Sequence, residues 1–299
     1  MEYVVSARIA QLQVIDPGEI RRIQLELPQD MEIDGRRYVL SDTMRPGTAF
    51  LAKPWGSRTD KSRRRMYTRS NASSHEPGLL ETFINHTHRP QADTSIWWQS
   101  EEPDYWHKIG KTLDIRVTLD EMHGVASVYE NTTVCKESNL RLEPDGDWEK
   151  RQLVCIAFGT GITPFLSYMR HIVHRQVKKK NEEHRGSITL IASVRHAGQL
   201  MLHQELMEMA QQFPQYFRYI PVLTRSWPSS WPFLKGRIIR TNVLASGEEH
   251  IDLRPLLEIG LDLSLSDLRV CGSVAACRQL QQGLKEQNIS PLSQRMESW

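Results

Sequence analysis

The sequence predicts a two-domain β + α/β protein: an antiparallel β-barrel over residues 1–150, then a parallel-sheet α/β domain over residues 151–299. Three observations predict it. Short strand-like runs broken by Gly and Pro, with no long helical period, fill the first half. Continuous apolar strands alternating with amphipathic helices fill the second. The change of character falls at Trp148-Glu149-Lys150-Arg151, and 299 residues are enough for about two cores.

In chain order, residues 3–15 and 20–27 read as two strands joined at Asp16-Pro17-Gly18, a Pro-Gly pair that favours a turn, so they form a hairpin. Strand-like runs follow at 48–53, 64–69, 79–85 and 112–118. Residues 127–147 are polar and turn-rich, and fit either a surface loop or an extra hairpin. Leu153-Val154-Cys155-Ile156-Ala157-Phe158 is a continuous apolar strand. A helix from Pro164 to about Arg175, a strand from Ile188 to Val194, a helix from Gln199 to Phe213 and a strand from Tyr216 to Leu223 come next. Leu268 to Cys271 is a last strand, before a helix from about Val274 to Gln287.

Composition excludes several classes. Hydrophobic residues make up 39% and charged residues 25%, the balance of a globular chain rather than a disordered one. With 38 Lys+Arg against 36 Asp+Glu the net charge is +2, too small for whole-surface attraction to nucleic acid or anionic membrane. No apolar run reaches the roughly 18 residues that span a bilayer, and the N-terminus lacks the features of a signal peptide. The expectation is a soluble, cytoplasmic protein. Cys135, Cys155, Cys271 and Cys277 lack the clustered spacing that holds zinc or an iron-sulfur cluster. His171 with His174, and His86 with His88, share a face in pairs, but no nearby carboxylate or cysteine completes a metal site, so none is assigned.

Two motifs carry chemistry. Gly159-Thr160-Gly161-Ile162-Thr163-Pro164 lies between the apolar strand and a helix. Glycine there lets the backbone turn tightly and a ligand approach, and the free amides of a helix start suit a pyrophosphate. Taken alone, it fits a structural turn equally well. Arg65-Met66-Tyr67-Thr68 lies on a strand of the first half. A guanidinium for a phosphate, a ring to cover a planar ring and a hydroxyl for a polar ring edge suit a flavin dinucleotide. A basic edge strand with a core tyrosine would read the same way in isolation.

In this order the two motifs resemble the ferredoxin-NADP reductase family, whose signatures are R-x-Y-[ST] in a flavin-binding barrel and G-T-G-[ILV]-x-P in the following NADP domain. Arg45-Pro46-Gly47-Thr48-Ala49-Phe50, Lys108-Ile109-Gly110-Lys111-Thr112-Leu113-Asp114-Ile115 and Val270-Cys271-Gly272 are similar to further family segments, as is the ending Glu297-Ser298-Trp299. The resemblance implies FAD and NADP(H) as cofactors. It implies that Arg65 binds the FAD pyrophosphate, Tyr67 stacks on one flavin face and Thr68 hydrogen-bonds near flavin N5. Gly159, Thr160, Gly161, Pro164 and Gly272 would form the nicotinamide nucleotide site, Cys271 and Glu297 would line the hydride-transfer pocket, and Trp299 would stack on the second flavin face. Ala92-Asp93-Thr94-Ser95 stands where the family has a glycine-led pyrophosphate turn, with Thr94 and Ser95 supplying hydroxyls.

A 2′-phosphate calls for arginine where a free ribose hydroxyl calls for an acid. Arg195, Thr224 with Arg225, and Arg237 match the family's cationic positions, which implies NADP(H). Residues 53–69 hold seven basic residues against one acid, Asp60, a local +6 beside the flavin motif. That field would steer an acidic ferredoxin or flavodoxin, a separate carrier molecule, toward the flavin edge, and no recognition module for RNA accompanies it. The expected activity is electron transfer between NADPH and such a one-electron carrier. The alternative, prompted by Ala92, is a non-catalytic FAD- or NADP(H)-binding regulator on the same fold.

Overall fold

In the computed structural model the described residues are 3–16, 20–54, 65–85, 109–129, 140, 152–178 and 187–298. The chain divides into two compact units. The first is Met1–Val134 with Leu166–Gln176, and the second is Cys135–Phe165 with Val177–Trp299.

The first unit is a curled, mainly antiparallel sheet. Strand β1 (Tyr3–Asp16) alternates sharply, with Val5, Ala7 and Ile9 inside and Val4, Ser6 and Arg8 outside, the period-2 pattern of a half-buried strand. It pairs with β2 (Ile20–Glu26) as the expected hairpin. Strands β3 (Asp30–Ile33) and β4 (Arg36–Ser41) form a second hairpin. Its two-residue loop, Asp34-Gly35, has φ of 51° and 75°, the left-handed pair of a type I′ turn. Then come β5 (Ala49–Pro54), β6 (Arg65–Thr68), β7 (Leu79–Asn85), β8 (Thr112–Asp120) and β9 (Val125–Val128). The sheet runs β3-β4-β9-β8-β1-β2-β7, with β5 branching from β8 and β6 from β5. All ladders are antiparallel except β4 with β9, which is parallel. The two branches meet where the Ser70 N–H donates to the Glu81 carbonyl at 2.7 Å, one bond beyond the half-barrel that the ladders define. Ile9, Leu25, Phe50, Leu80, Leu113 and Ile115 fill the core.

The second unit is the expected parallel sheet. Its strands are β10 (Gln152–Phe158), β11 (Ser187–Val194), β12 (Phe217–Leu223), β13 (Leu234–Lys235), β16 (Ser266–Gly272) and β17 (Ser293–Ser298), in the order β13-β12-β11-β10-β16-β17. A separate hairpin joins β14 (Arg240–Val243) to β15 (Glu249–Asp252). The helices are α1 (Thr163–Lys178), α2 (His203–Gln212), α3 (Arg254–Leu257) and α4 (Val274–Glu286). Leu153 to Ala157 are all buried, because a central parallel strand is covered on both faces. The helix expected from Gln199 is two pieces, a 3-10 turn at Ala197–Gln199 and α2, separated by Leu202 at φ 53°. No helix among the described residues is long and apolar enough to cross a membrane.

Candidate functional site

In the second unit β10 is the switch point of the sheet, with β11 on one side and β16 on the other. In open α/β sheets ligands bind at the carboxyl ends of strands at such a point. The chain leaves β10 through a 3-10 turn, Gly159–Ile162, before α1 begins. Gly159 has φ 59° with open space where a side chain would project. A Cβ on Gly161 would lie 2.1 Å from the Cys271 carbonyl oxygen, and one on Gly272 would lie 2.6 Å from Phe158 Cβ. The turn after β10 and the turn after β16 therefore touch backbone to backbone, and only glycine permits the contact. The Thr163 hydroxyl caps the turn by donating to the Thr160 carbonyl at 2.7 Å, and Pro164 sits in the first helical turn, where its missing N–H costs nothing. The Thr160 hydroxyl has no hydrogen-bond partner among the described residues.

Glu297 lies on β17 in register with Cys271, so the edge strand brings it to the same end of the sheet. Burial raises its carboxyl pKa. Cys271 is fully buried, and its thiol is pushed well above the usual value by burial first, then by the charges of Glu297 and the neighbouring Cys277 and Cys155. It is part of the wall and not a thiolate nucleophile.

The three expected arginines follow three adjacent strands, β11, β12 and β13. The Arg225 N–H donates to the Arg195 carbonyl at 3.0 Å, and the Gly236 N–H donates to the Leu223 carbonyl at 2.8 Å, which sets Arg237 beside the end of β12. Thr224 is half-buried between them, its N–H bonded to the Val194 carbonyl at 2.8 Å. Arg225 and Arg237 are exposed, and neither has an ion pair among the described residues. Beside them lies a group that motif reading missed. His203, Trp231 and Phe233 pack ring against ring, with centroids 5.0 to 6.0 Å apart, and Tyr219 supports His203. Burial lowers the His203 pKa. The repeated Trp-Pro in Ser226-Trp227-Pro228-Ser229-Ser230-Trp231-Pro232 was the available signal.

In the first unit, β6 carries the second motif. Tyr67 faces Phe50 across the β5–β6 ladder, with ring centroids 5.8 Å apart, and stays half-buried. Thr68 is half-buried too, and its hydroxyl has no hydrogen-bond partner among the described residues. The turn at Arg45-Pro46-Gly47-Thr48 sets the start of β5, with Gly47 at φ 78° and the Thr48 hydroxyl donating to the Arg45 carbonyl at 2.6 Å. The Arg65 side chain, Thr94, Ser95, Trp299, His86, His88, the side chain of His174 and the segment with Arg58, Lys61, Arg63 and Arg64 lie outside the described residues.

One expectation is corrected. Arg69, counted in the basic cluster, is fully buried and forms a two-pronged pair with Asp42, at 2.6 and 2.9 Å, while its Nε donates to Asn71 at 2.9 Å. Its charge is spent inside the unit and adds nothing to a surface field. His171, one of the paired histidines, meets the Ser74 hydroxyl at 2.9 Å.

Comparison with known proteins bears on the fold. Residues 155–282 match the family described as the oxidoreductase NAD-binding domain. NADH-cytochrome b5 reductase 2 of Aspergillus terreus is 31% identical over 116 residues, 37% of this chain and 34% of that protein. The chain thus spans about a third of that curated relative. Among solved structures, a ferredoxin NADP+ reductase from Neisseria gonorrhoeae with bound FAD and NADP superposes with a TM-score of 0.62 at 17% identity, over 99% of this chain and 98% of that one. The cytochrome b5 reductase domain of Ulva prolifera nitrate reductase gives 0.60 at 15% identity, over 99% and 97%. The chain shares the two-domain fold of these two structures. Residues 155–282 thus carry an oxidoreductase NAD-binding domain, and the two-domain fold is similar to that of the solved ferredoxin NADP+ reductase.

Proposed function

We propose that this protein is an FAD-dependent NADPH oxidoreductase that delivers electrons to a separate one-electron carrier protein, a ferredoxin or flavodoxin. The observation that supports it best is the carboxyl end of the parallel sheet, where two touching glycine turns, a Thr160 hydroxyl and the Arg225 and Arg237 side chains, these three unpaired among the described residues, follow strands of one sheet. That donor set fits a dinucleotide with a 2′-phosphate: amides and a hydroxyl for the pyrophosphate side, two free guanidinium groups for the extra charge. In the first unit, a half-buried tyrosine ring beside an unpaired threonine hydroxyl fits a flavin ring and its polar edge, with Tyr67 and Thr68 holding it. Bound FAD would supply the conversion of a two-electron hydride into single electrons, which a one-electron carrier needs. Glu297, half-buried and raised in pKa by burial, would place a carboxyl at the carboxyl end of β16.

A second reading has one observation in its favour. The relative named NADH-cytochrome b5 reductase 2 would suggest NADH as donor and a haem protein of the cytochrome b5 type as acceptor. Both questions are settled by steady-state rates of the FAD-loaded protein. NADPH and NADH are compared as donors, and ferredoxin, flavodoxin and cytochrome b5 as acceptors, with ferricyanide as the reference. The expected result is a higher kcat/KM for NADPH. Arg225→Ala should lower it by about tenfold or more, the loss of one charge-assisted hydrogen bond, and leave NADH nearly unchanged. Equal efficiencies for both donors would withdraw the NADPH assignment. Turnover with cytochrome b5 alone would withdraw the ferredoxin or flavodoxin assignment, and a colourless protein without ferricyanide reduction would favour a non-catalytic binding protein.

A further inference from the structure

Helix α1 starts in the glycine turn of the second unit, yet its residues Leu166–Gln176 pack in the first unit. They grip the segment that follows β6. The Ser167 hydroxyl donates to the Asn71 carbonyl at 2.8 Å, and Arg170 Nη1 donates to the Ser70 carbonyl at 3.3 Å and to Glu81 Oε1 at 2.6 Å. Glu81 is fully buried, and its carboxylate also accepts from the Ser70 hydroxyl at 2.7 Å, Gln24 at 2.9 Å and Arg22 Nε at 2.8 Å. The same segment is tied on its other sides. The Arg69 N–H donates to the Thr48 carbonyl at 3.0 Å, and Asn71 Oδ1 accepts from the Glu81 N–H at 2.9 Å. This clamp begins one residue after Thr68.

Strand β6 is only four residues long and, among the described residues, has a ladder partner, β5, on one edge alone. So short a strand cannot set the position of its own last residue, and what holds residues 69–71 decides where the Thr68 hydroxyl points. A hydrogen-bonding group in a binding site must be held to within about 0.5 Å to act. We propose that Arg170 and Ser167 are positioning residues for the flavin strand, so that the flavin site of the first unit is completed by a helix from beyond residue 150. The proposal rests on the reading of Tyr67 and Thr68 as flavin-binding residues. It also accounts for a half-buried guanidinium on a helix that the sequence assigns to the nucleotide domain: Arg170 neutralises Glu81 and fixes the Ser70 carbonyl with one group.

The test uses the full-length chain. FAD affinity, the visible flavin spectrum, the thermal midpoint and binding of 2′-phospho-AMP are measured for Arg170→Met, Arg170→Lys and Ser167→Ala. Val117→Ala, a core truncation in β8, is the control. Arg170→Met is expected to weaken FAD binding tenfold or more and to shift the visible band. Ser167→Ala should weaken it severalfold, and Arg170→Lys should recover part of the loss. Val117→Ala should lower the thermal midpoint without changing FAD affinity, and 2′-phospho-AMP binding should stay within twofold throughout. If Arg170→Met does not fold because Glu81 is left unneutralised, the double variant Glu81→Gln, Arg170→Met replaces it with the same expectation. Wild-type FAD affinity and spectrum in Arg170→Met and Ser167→Ala would overturn the proposal, as would an FAD affinity that falls with the thermal midpoint alike in Arg170→Met and Val117→Ala. A wild-type chain that binds no FAD would overturn the flavin reading itself, which keeps the two failures apart.

Discussion

At Glu297 burial and position act together. The residue is on an edge strand whose sequence, Ser293-Gln294-Arg295-Met296-Glu297-Ser298, is almost wholly polar, and pairing with β16 alone carries its carboxyl into the unit. Burial raises its pKa above the ordinary 4.5, so over the window from there up to the raised value the folded state keeps a proton that the unfolded state has lost. Stability from this residue is therefore present in acid and declines as pH rises through that window. Glu297→Gln should remove the decline, so the variant gains thermal stability over wild type between pH 5 and pH 8 and shows no gain at pH 4. Midpoints at four pH values check this, and a constant difference across them would show that Glu297 is ionised without cost. The cysteines nearby follow the same physics: burial drives the thiols of Cys155 and Cys271 upward, and Cys277 up to about 11, so none is a thiolate at neutral pH.

The element that matters most is the turn between β10 and α1, where two glycines have different reasons. Gly159 needs its left-handed φ of 59° but has open space around it, whereas Gly161 has no room because the Cys271 carbonyl is there. Gly159→Ala should cost about 1–2 kcal/mol, the strain of a left-handed alanine. Gly161→Ala must push the turns after β10 and β16 apart. It should cost as much or more, about 1–3 kcal/mol for overpacking, and weaken 2′-phospho-AMP binding more than Gly159→Ala does. Urea unfolding with a binding titration on both variants is the check. Equal nucleotide affinity in the two would mean that the contact between the turns does not shape the site. The turn of β3–β4 was equally open to reading from Asp34-Gly35, flanked by Met31 and Ile33 on one side and Tyr38 and Leu40 on the other. The strands on either side are short and half polar, so their periodicity is weak.

For the molecule as a whole, the buried charges of the first unit set its response to acid. Burial alone would raise the Glu81 carboxyl, but Arg170 and Arg22, with the Ser70 hydroxyl, pull it from 4.5 down to about 2. The unfolded state thus binds the proton first, and the stability that Glu81 contributes, full above pH 4.5, is lost as pH falls toward 2. Glu81→Gln should be less stable than wild type at pH 7, because two arginines lose their partner, and the two unfolding free energies should converge on acidification. Urea titrations at pH 7, 5, 4 and 3 measure this. Parallel curves would mean that the acid sensitivity belongs to other carboxylates.

Periodicity and two motifs were enough to define the two architectures, the parallel sheet of the second half, the strand that carries Tyr67 and Thr68 and the turn of Gly159 to Gly161, because these features depend on local spacing and on backbone needs that only certain residues meet. The apolar runs also end just before Arg195 and Arg225, which follow β11 and β12. What they could not supply depends on partners distant in the chain. Arg69 reads as one more surface cation until Asp42 is found beside it. Ser293–Ser298 is a strand only because β16 offers it an edge. The helix after the glycine turn reads as part of the nucleotide domain, yet the buried carboxylate of Glu81 draws its Arg170 into the first unit. An isolated buried charge is too costly to leave unanswered, and which group answers it is decided by packing.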